Sequence, residues 1–468
     1  MYRFVDFLKA AGQRVWQILP LTPPLMGDSP YLSESAFAGN EALISLEVLR
    51  DWGWLKQEAL DDFLAQGKKT ASWHSLAAYK AKLLWDMSHD PDLTIPWEPF
   101  RAFCEKNAYW LDDYALFRAV RDFFGGRCWT EWPEDIRHHS QAAMAQYGKE
   151  LAGAVSHVKF MQYIFSRQWH DVRAYAAENG VSILGDVPMF VAHNSADCWA
   201  HQDQFDLDEA GNPSSVAGVP PDYFSADGQL WGNPLYDYQA MARDNYQWWT
   251  DRFRRMMDLV DEVRVDHFRG FAAYWAVPAG SETAKSGAWK EGPGLDLFRA
   301  VYQKIGRLRL VAEDLGVITD DVCTLKDALH LPGMKVIQFH LKERADGRLA
   351  FDTEPDCIAY TGTHDNNTIR GWYEDDLTPS QQLHVRQMLG LSDEAAPQEI
   401  VGALIAYTYC RRAETVIIPM QDLLALPSSG RMNTPGVADG NWHWQLKEGQ
   451  TTFDIAHWLA KACRESGR

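Results

Sequence analysis

The chain lacks three things that would point away from an ordinary soluble fold: a surplus of cations, paired cysteines and any long apolar run. Of its 468 residues, 45 are Lys or Arg against 64 Asp or Glu, for a net charge of −19. Phosphate backbones are bound through excess Lys and Arg, so nucleic acid is not an expected partner. The seven cysteines contain no Cys-x-x-Cys, which removes thiol redox motifs and structural zinc sites and favours a reducing, cytoplasmic setting. No stretch reaches 18 uninterrupted apolar residues, so no membrane helix is expected. The first nine residues mix charge into their apolar run without a small-residue cleavage site, so a signal peptide is not expected either. His-x-His, His-Glu-x-x-His, Gly-x-Ser-x-Gly, Gly-x-Gly-x-x-Gly and Walker-type loops are all missing. Metal hydrolase, serine hydrolase, dinucleotide and nucleotide chemistries are therefore disfavoured, and neither a metal nor an organic cofactor is expected.

What is abundant is tryptophan, with 20 residues, in a composition that is otherwise average at 46% hydrophobic and 23% charged. Several lie in Gly/Pro/Asn-rich loops, as Trp231 does in Gly-Gln-Leu-Trp-Gly-Asn-Pro. Such rings stack on sugar faces or simply pack. Short apolar runs suited to strands recur at residues 14–19, 181–187, 262–266, 308–313, 334–340, 357–361 and 415–420, with helical periodicity between them. That alternation predicts an α/β fold of parallel strands, a (β/α)8 TIM barrel. Only seven strands can be counted where eight close a barrel. The chain opens on an amphipathic helix over 2–11, stopped at Gly12, with nothing before it to supply a strand. The expectation is a barrel whose first strand is missing from this chain. Residues 51–153, rich in Trp, Leu, Ala, Lys and Glu at helical spacing, read as an inserted helical subdomain between barrel segments 1–50 and 154–468. Residues 197–238, rich in Pro, Gly, Asp and aromatics, read as an inserted, ordered loop region over the site.

Three strands end in polar clusters, and barrel active sites gather at strand C-termini. In 263–270, Arg264 and Asp266 are two apart and share one strand face. An Arg there can hold a nucleophilic carboxylate ionised, or can close a structural ion pair. In 311–316, Glu313 is the better candidate for the barrel interior, with Asp314 capping the following turn. A Glu among apolar neighbours stays protonated far enough to act as a general acid; a solvated strand-end cap is the competing reading. In 361–368, His364 and Asp365 can bind sugar hydroxyls or form part of a well-capped turn. Taken together, a nucleophilic carboxylate and an acid/base carboxyl on neighbouring strands meet the need of glycoside chemistry through a covalent intermediate.

At these residues the sequence resembles the amylomaltases, the 4-α-glucanotransferases of glycoside hydrolase family 77 in the α-amylase clan. Ten segments carry the resemblance in order: Trp16-Gln-Ile-Leu-Pro-Leu, Gly27-Asp-Ser-Pro-Tyr, Ser35-Ala-Phe-Ala-Gly-Asn, the thirteen residues from Gly185 to Asp197, Gly218-Val-Pro-Pro-Asp-Tyr-Phe, Trp231-Gly-Asn-Pro-Leu-Tyr, Arg264-Val-Asp-His-Phe-Arg-Gly, Ala312-Glu-Asp-Leu-Gly, Gly362-Thr-His-Asp-Asn, and Arg431-Met-Asn-Thr-Pro-Gly with Gly440-Asn-Trp. The resemblance implies Asp266 as nucleophile, Glu313 as acid/base and Asp365 as a third carboxylate that binds sugar hydroxyls and steadies the distorted ring. It implies that Arg264 orients the nucleophile, that His364 binds the same sugar, and that Tyr31, Asp186, Trp231 and Asn433 contact the glucan. The loop at 218–223 resembles the family's flexible loop on the acceptor side. Where the family has Tyr-Gln, this chain has Tyr31-Leu32.

The activity implied is retaining transfer of α-1,4-glucan segments between maltodextrins. An α-glucan hydrolase, or an N-terminally truncated and inactive maltodextrin-binding protein, is the alternative expectation.

Overall fold

The computed structural model describes residues 1–69, 73–221, 225–437 and 439–468. All seven expected strands form: β1 Val15–Gln17, β2 Ser182–Val187, β3 Glu262–Val265, β4 Leu310–Ala312, β5 Gly333–Val336, β6 Cys357–Tyr360 and β7 Thr415–Ile417. They lie side by side in chain order, as β1–β4 in one parallel sheet and β5–β7 in a second. The Ala312 N–H donates to the Pro332 carbonyl at 2.9 Å and links the two sheets. The result is seven parallel staves of a (β/α)8-type barrel. Among the described residues no ladder joins β1 to β7. A cavity of 270 Å³ lies beside this opening, lined by Gln17, Ile18, Tyr360, Val416 and Ile418, and extends to His364.

Alternation along each strand sorts side chains between two cores. Leu184, Val311, Met334, Val336, Ile358 and Tyr360 form the small cluster inside the barrel. The alternate strand positions Ile183, Val263, Val265, Leu310, Ala312 and Ala359 join the larger cluster between sheet and helices. The inward positions one step further along are Asp186, Arg264 and Glu313, so the polar site is the next layer above an apolar floor.

The expected strand over 334–340 stops early. Residues Ile337–His340 make a helical turn instead, because the Gln338 amide donates to the carbonyls of both Thr361 (3.0 Å) and Asn367 (2.9 Å) and draws the chain aside. The opening helix, Tyr2–Ala10, buries Val5, Phe7 and Leu8 and ends where Gly12 adopts φ +68°, in the left-handed region that glycine permits. The described residues of 51–153 are mainly helical, in Gln57–Lys69, Trp73–Ser88, Trp97–Phe123 and Gln141–Glu150. Trp97–Phe123 packs along Ala152–Glu178, the helix that leads into β2.

The stretch read as an ordered loop contains regular structure. Ser215–Val219 and Gln229–Pro234 pair antiparallel and join Ala273–Pro278 and Ala288–Glu291 in a four-stranded sheet. Their partner strands lie some way along the chain, so local sequence gives no sign of the pairing. Of the loop at 218–223, residues 222 and 223 lie outside the described residues.

Candidate active site

Register explains the grouping of the acids. Asp186 on β2 stands directly opposite Arg264 on β3, and Arg264 opposite Val311 on β4. Two residues beyond those positions come Asp266 and Glu313, and neighbouring strands lie only about 4.8 Å apart. The Glu313 N–H donates to the Val265 carbonyl at 3.1 Å, and the Phe268 N–H to the Glu313 carbonyl at 3.2 Å, so the pairing persists past the strand ends.

Arg264 is the hub. Its side chain is 4% exposed; Nη1 reaches both Asp186 oxygens at 2.8 and 2.7 Å, and Nη2 reaches Asp266 Oδ1 at 2.9 Å. One planar guanidinium thus orients Asp266 while anchored on a second carboxylate. The ion-pair and nucleophile readings of this pair are compatible, because Asp266 keeps 28% of its side chain exposed to the cleft. Asp186 has no exposed side-chain surface. Its remaining capacity goes to the Tyr31 hydroxyl, which donates to Oδ2 at 2.7 Å. It braces the site from beneath, and Tyr31 stands between it and the cleft.

Glu313 accepts two backbone hydrogen bonds, from His267 N to Oε2 at 2.8 Å and from Leu315 N to Oε1 at 3.0 Å. The first requires His267 to sit in the left-handed region at φ +47°, a conformation that a non-glycine residue adopts at some cost. Burial pushes the Glu313 carboxyl up to about 7, and the Asp266 charge adds to this against the pull of Arg264 and the two N–H donors. Asp314 does not cap its own turn, as the sequence suggested. Its carboxylate takes the Met334 N–H at 2.7 Å and Lys326 Nζ at 2.7 Å, fastening the start of β5 to the end of β4. The turn donor at Leu315 belongs to Glu313.

The loop after β6 brings His364 and Asp365 to the same cleft. His364 Nε2 is 3.3 Å from Asp365 Oδ2, and its Nδ1 is 3.3 Å from the Tyr31 oxygen. Burial pulls the imidazole down, but the Asp365 charge and hydrogen bond outweigh it and leave the ring above its ordinary value. Burial would raise Asp365; His364, the Asn433 amide (2.6 Å) and Arg264 overcome it and bring this carboxyl down to about 2. Asp365 is therefore ionised at every working pH, with 46% of its side chain open. Arg431 Nη2 holds the Asp365 carbonyl at 2.6 Å.

Trp231, on the strand Gln229–Pro234, stands at the mouth with its ring edge-to-face against His267 at 4.8 Å. All nine residues singled out from the sequence belong to this one neighbourhood. Trp442 was not singled out. Its ring lies 5.8 Å from Tyr31 and 5.6 Å from His364, making an aromatic wall with them. The Gly440-Asn-Trp segment was its only sequence signal.

A family model described as 4-alpha-glucanotransferase, glycoside hydrolase 77, matches residues 1–451. The chain is 42% identical over 457 residues to the 4-alpha-glucanotransferase of Thermus thermophilus, covering 96% of this chain and 90% of that protein. It is 42% identical over 474 residues to the chloroplastic/amyloplastic 4-alpha-glucanotransferase of Solanum tuberosum, covering 99% and 81%. Among solved structures, an amylomaltase from Streptococcus agalactiae in complex with acarbose superimposes with a TM-score of 0.92 at 32% identity, covering 100% of this chain and 94% of that one.

Proposed function

The chain belongs to the 4-alpha-glucanotransferase family, glycoside hydrolase 77, and is an enzyme of that activity; we propose that it works by a two-step retaining mechanism on Asp266 and Glu313. Asp266 attacks the anomeric carbon of an α-1,4-glucan while Glu313 protonates the departing glycosidic oxygen, leaving a β-glycosyl ester on Asp266. Ionised Glu313 then takes the proton of an acceptor sugar's 4-hydroxyl, which displaces Asp266 and restores an α-1,4 bond. The observation that carries this reading is the pairing of unlike carboxyls. One is oriented by Arg264 at 2.9 Å. The other is buried enough to hold its proton up to about 7 and to release it within the same pH range.

Asp365, ionised throughout, faces the sugar as a fixed acceptor for its hydroxyls and a negative charge near the developing oxocarbenium ion. His364 and Tyr31 line the same subsite, with Asp186 acting through Tyr31. Transfer outcompetes hydrolysis when an acceptor glucan displaces water, and the rings of Trp231 and Trp442 suit that task. The S. agalactiae amylomaltase was solved with acarbose, which supports a maltodextrin in the corresponding cleft here. Residues 51–153 we take as an inserted helical subdomain beside the barrel segments 1–50 and 154–468, a division supported by their helical content.

We place the enzyme in the cytoplasm. Its seven cysteines are all free, two of them exposed, which suits a reducing compartment. Among the described residues no helix is long and apolar enough to cross a membrane.

Incubation with maltotriose tests the function. A ladder of longer maltodextrins together with glucose is the expected product set. Glucose and maltose alone would mark a hydrolase, and binding without turnover a glucan-binding protein. Trp231→Ala is expected to leave kcat within about twofold and to raise KM for maltodextrins. Losing one stacked ring costs about 0.5–1.5 kcal/mol, a factor of about 2–12. Steady-state kinetics would show it, and an unchanged KM would remove Trp231 from the glucan path.

A further inference from the structure

Outside the catalytic group lies a second buried carboxylate that the mechanism above does not use. Asp422 follows β7, on the short helix Met420–Leu423, and is 1% exposed. Among the described residues its oxygens meet two donors. Thr361 Oγ1 donates to Oδ2 at 2.6 Å, and the Ile369 backbone N–H donates to Oδ1 at 2.7 Å. Thr361 is the first residue after β6, and Ile369 opens the next helical turn. These two donors are therefore the two ends of the loop that carries His364 and Asp365, and one carboxylate ties both.

A buried carboxylate without a cation partner is costly, and burial pushes this one up to about 6. A neutral side chain would cap a turn at less cost. Only a carboxylate offers two strong acceptors at the spacing needed to draw two separate backbone positions together, through short charge-assisted hydrogen bonds. The upper part of the loop is already held, by Arg431 on the Asp365 carbonyl and by Asn433 on both the His364 carbonyl and the Asp365 carboxylate. At the base the Gln338 amide donates to the carbonyls of Thr361 and Asn367, and Asp422 adds a second, charged tie between Thr361 and Ile369.

The structure assigns to Asp422 the role of a positioning residue, which closes the Thr361–Ile369 loop and thereby fixes Asp365 against the reacting sugar. The inference rests on the reading of Asp365 given above. Asp422, 1% exposed, acts on the loop rather than on the sugar. Its effect passes through Asp365, and a displacement of about 1 Å in a positioned group costs about 10²-fold in rate.

Asp422→Asn keeps shape and one acceptor. The expected result is a folded protein whose kcat on maltotriose falls about 10- to 100-fold while KM stays within about twofold, since the lost contribution belongs to the transition state. Thr361→Ser keeps the donor and should retain activity, whereas Thr361→Val removes it and should reproduce part of the loss. This pair answers the question even if Asp422→Asn fails to fold. The decisive arm is a double-mutant cycle: added to Asp365→Asn, Asp422→Asn should cost less than about twofold more. A wild-type kcat in Asp422→Asn, equal activity of the two Thr361 variants, or a full multiplicative loss in the Asp365→Asn background would overturn the assignment. An Asp365→Asn enzyme that is itself fully active would instead defeat the reading of Asp365, and with it any action of Asp422 through that residue.

Discussion

Asp266→Asn is expected to abolish glucose release from maltotriose, with kcat reduced by about 10⁴-fold or more, while circular dichroism and melting remain close to those of the parent enzyme. The size follows from the role. An amide cannot form the glycosyl ester, and removing a group that makes the covalent bond typically costs about 10⁴- to 10⁶-fold. The folding half follows from the hub. Arg264 stays anchored by two contacts to Asp186 when the Asp266 contact is lost, so no buried charge is stranded. The substitution also removes one of the influences that hold Glu313 high, so the Glu313 carboxyl in the variant should titrate below its parent value. Product analysis by chromatography and a carboxyl titration by NMR check the two effects separately. Activity within tenfold of the parent would sink the nucleophile assignment whatever the titration gave.

The sequence made the barrel readable because β-strand burial is local. Runs such as Cys-Ile-Ala-Tyr, buried at every position, have no other comfortable place in a soluble chain. The catalytic layer was readable for a related reason. Arg264 and Asp266 are two apart on one strand, so spacing put that pair on one face, and Glu313 continues the inward phase of Val311 on the next strand. The misses share a different physics. Asp314 was read as a local cap because only its neighbours in sequence were in view; its partners, Lys326 and Met334, are 12 and 20 residues on. The four-stranded sheet over the site joins Ser215–Val219 to Ala273–Pro278 across a long stretch of chain. Trp442 and Asp422 acquire their roles only when the C-terminal segments fold back over the loop after β6. The helical turn at Ile337–His340 is set by the Gln338 amide, whose acceptors lie more than 20 residues away.

Glu313→Gln separates catalysis from stability, because the same burial that makes Glu313 useful makes it costly. In the first step Glu313 must be protonated. With its carboxyl held at about 7, kcat/KM of the parent should fall as pH rises through about 7. Asp365, held near 2, contributes no limb in this range. The Gln variant should lose the alkaline limb along with about 10²- to 10⁴-fold of its rate. Its stability should move the other way. The folded state holds the Glu313 proton up to about 7, whereas the unfolded chain releases it near the ordinary value of 4.5. Between those values the native state binds more protons than the unfolded one, so this group's contribution to stability declines as pH rises from about 4.5 through about 7 and stays low above it. Gln carries no such penalty. Relative to the parent, Glu313→Gln should therefore gain stability between pH 5 and pH 8, by about 1–3 kcal/mol, once the partial exposure and the coupling to Asp266 and Arg264 have taken their share. Denaturant melts of both proteins at the two pH values measure the difference. A gap that stays constant with pH, or one that narrows toward pH 8, would show that Glu313 does not carry its proton at the raised value on which the acid/base role depends.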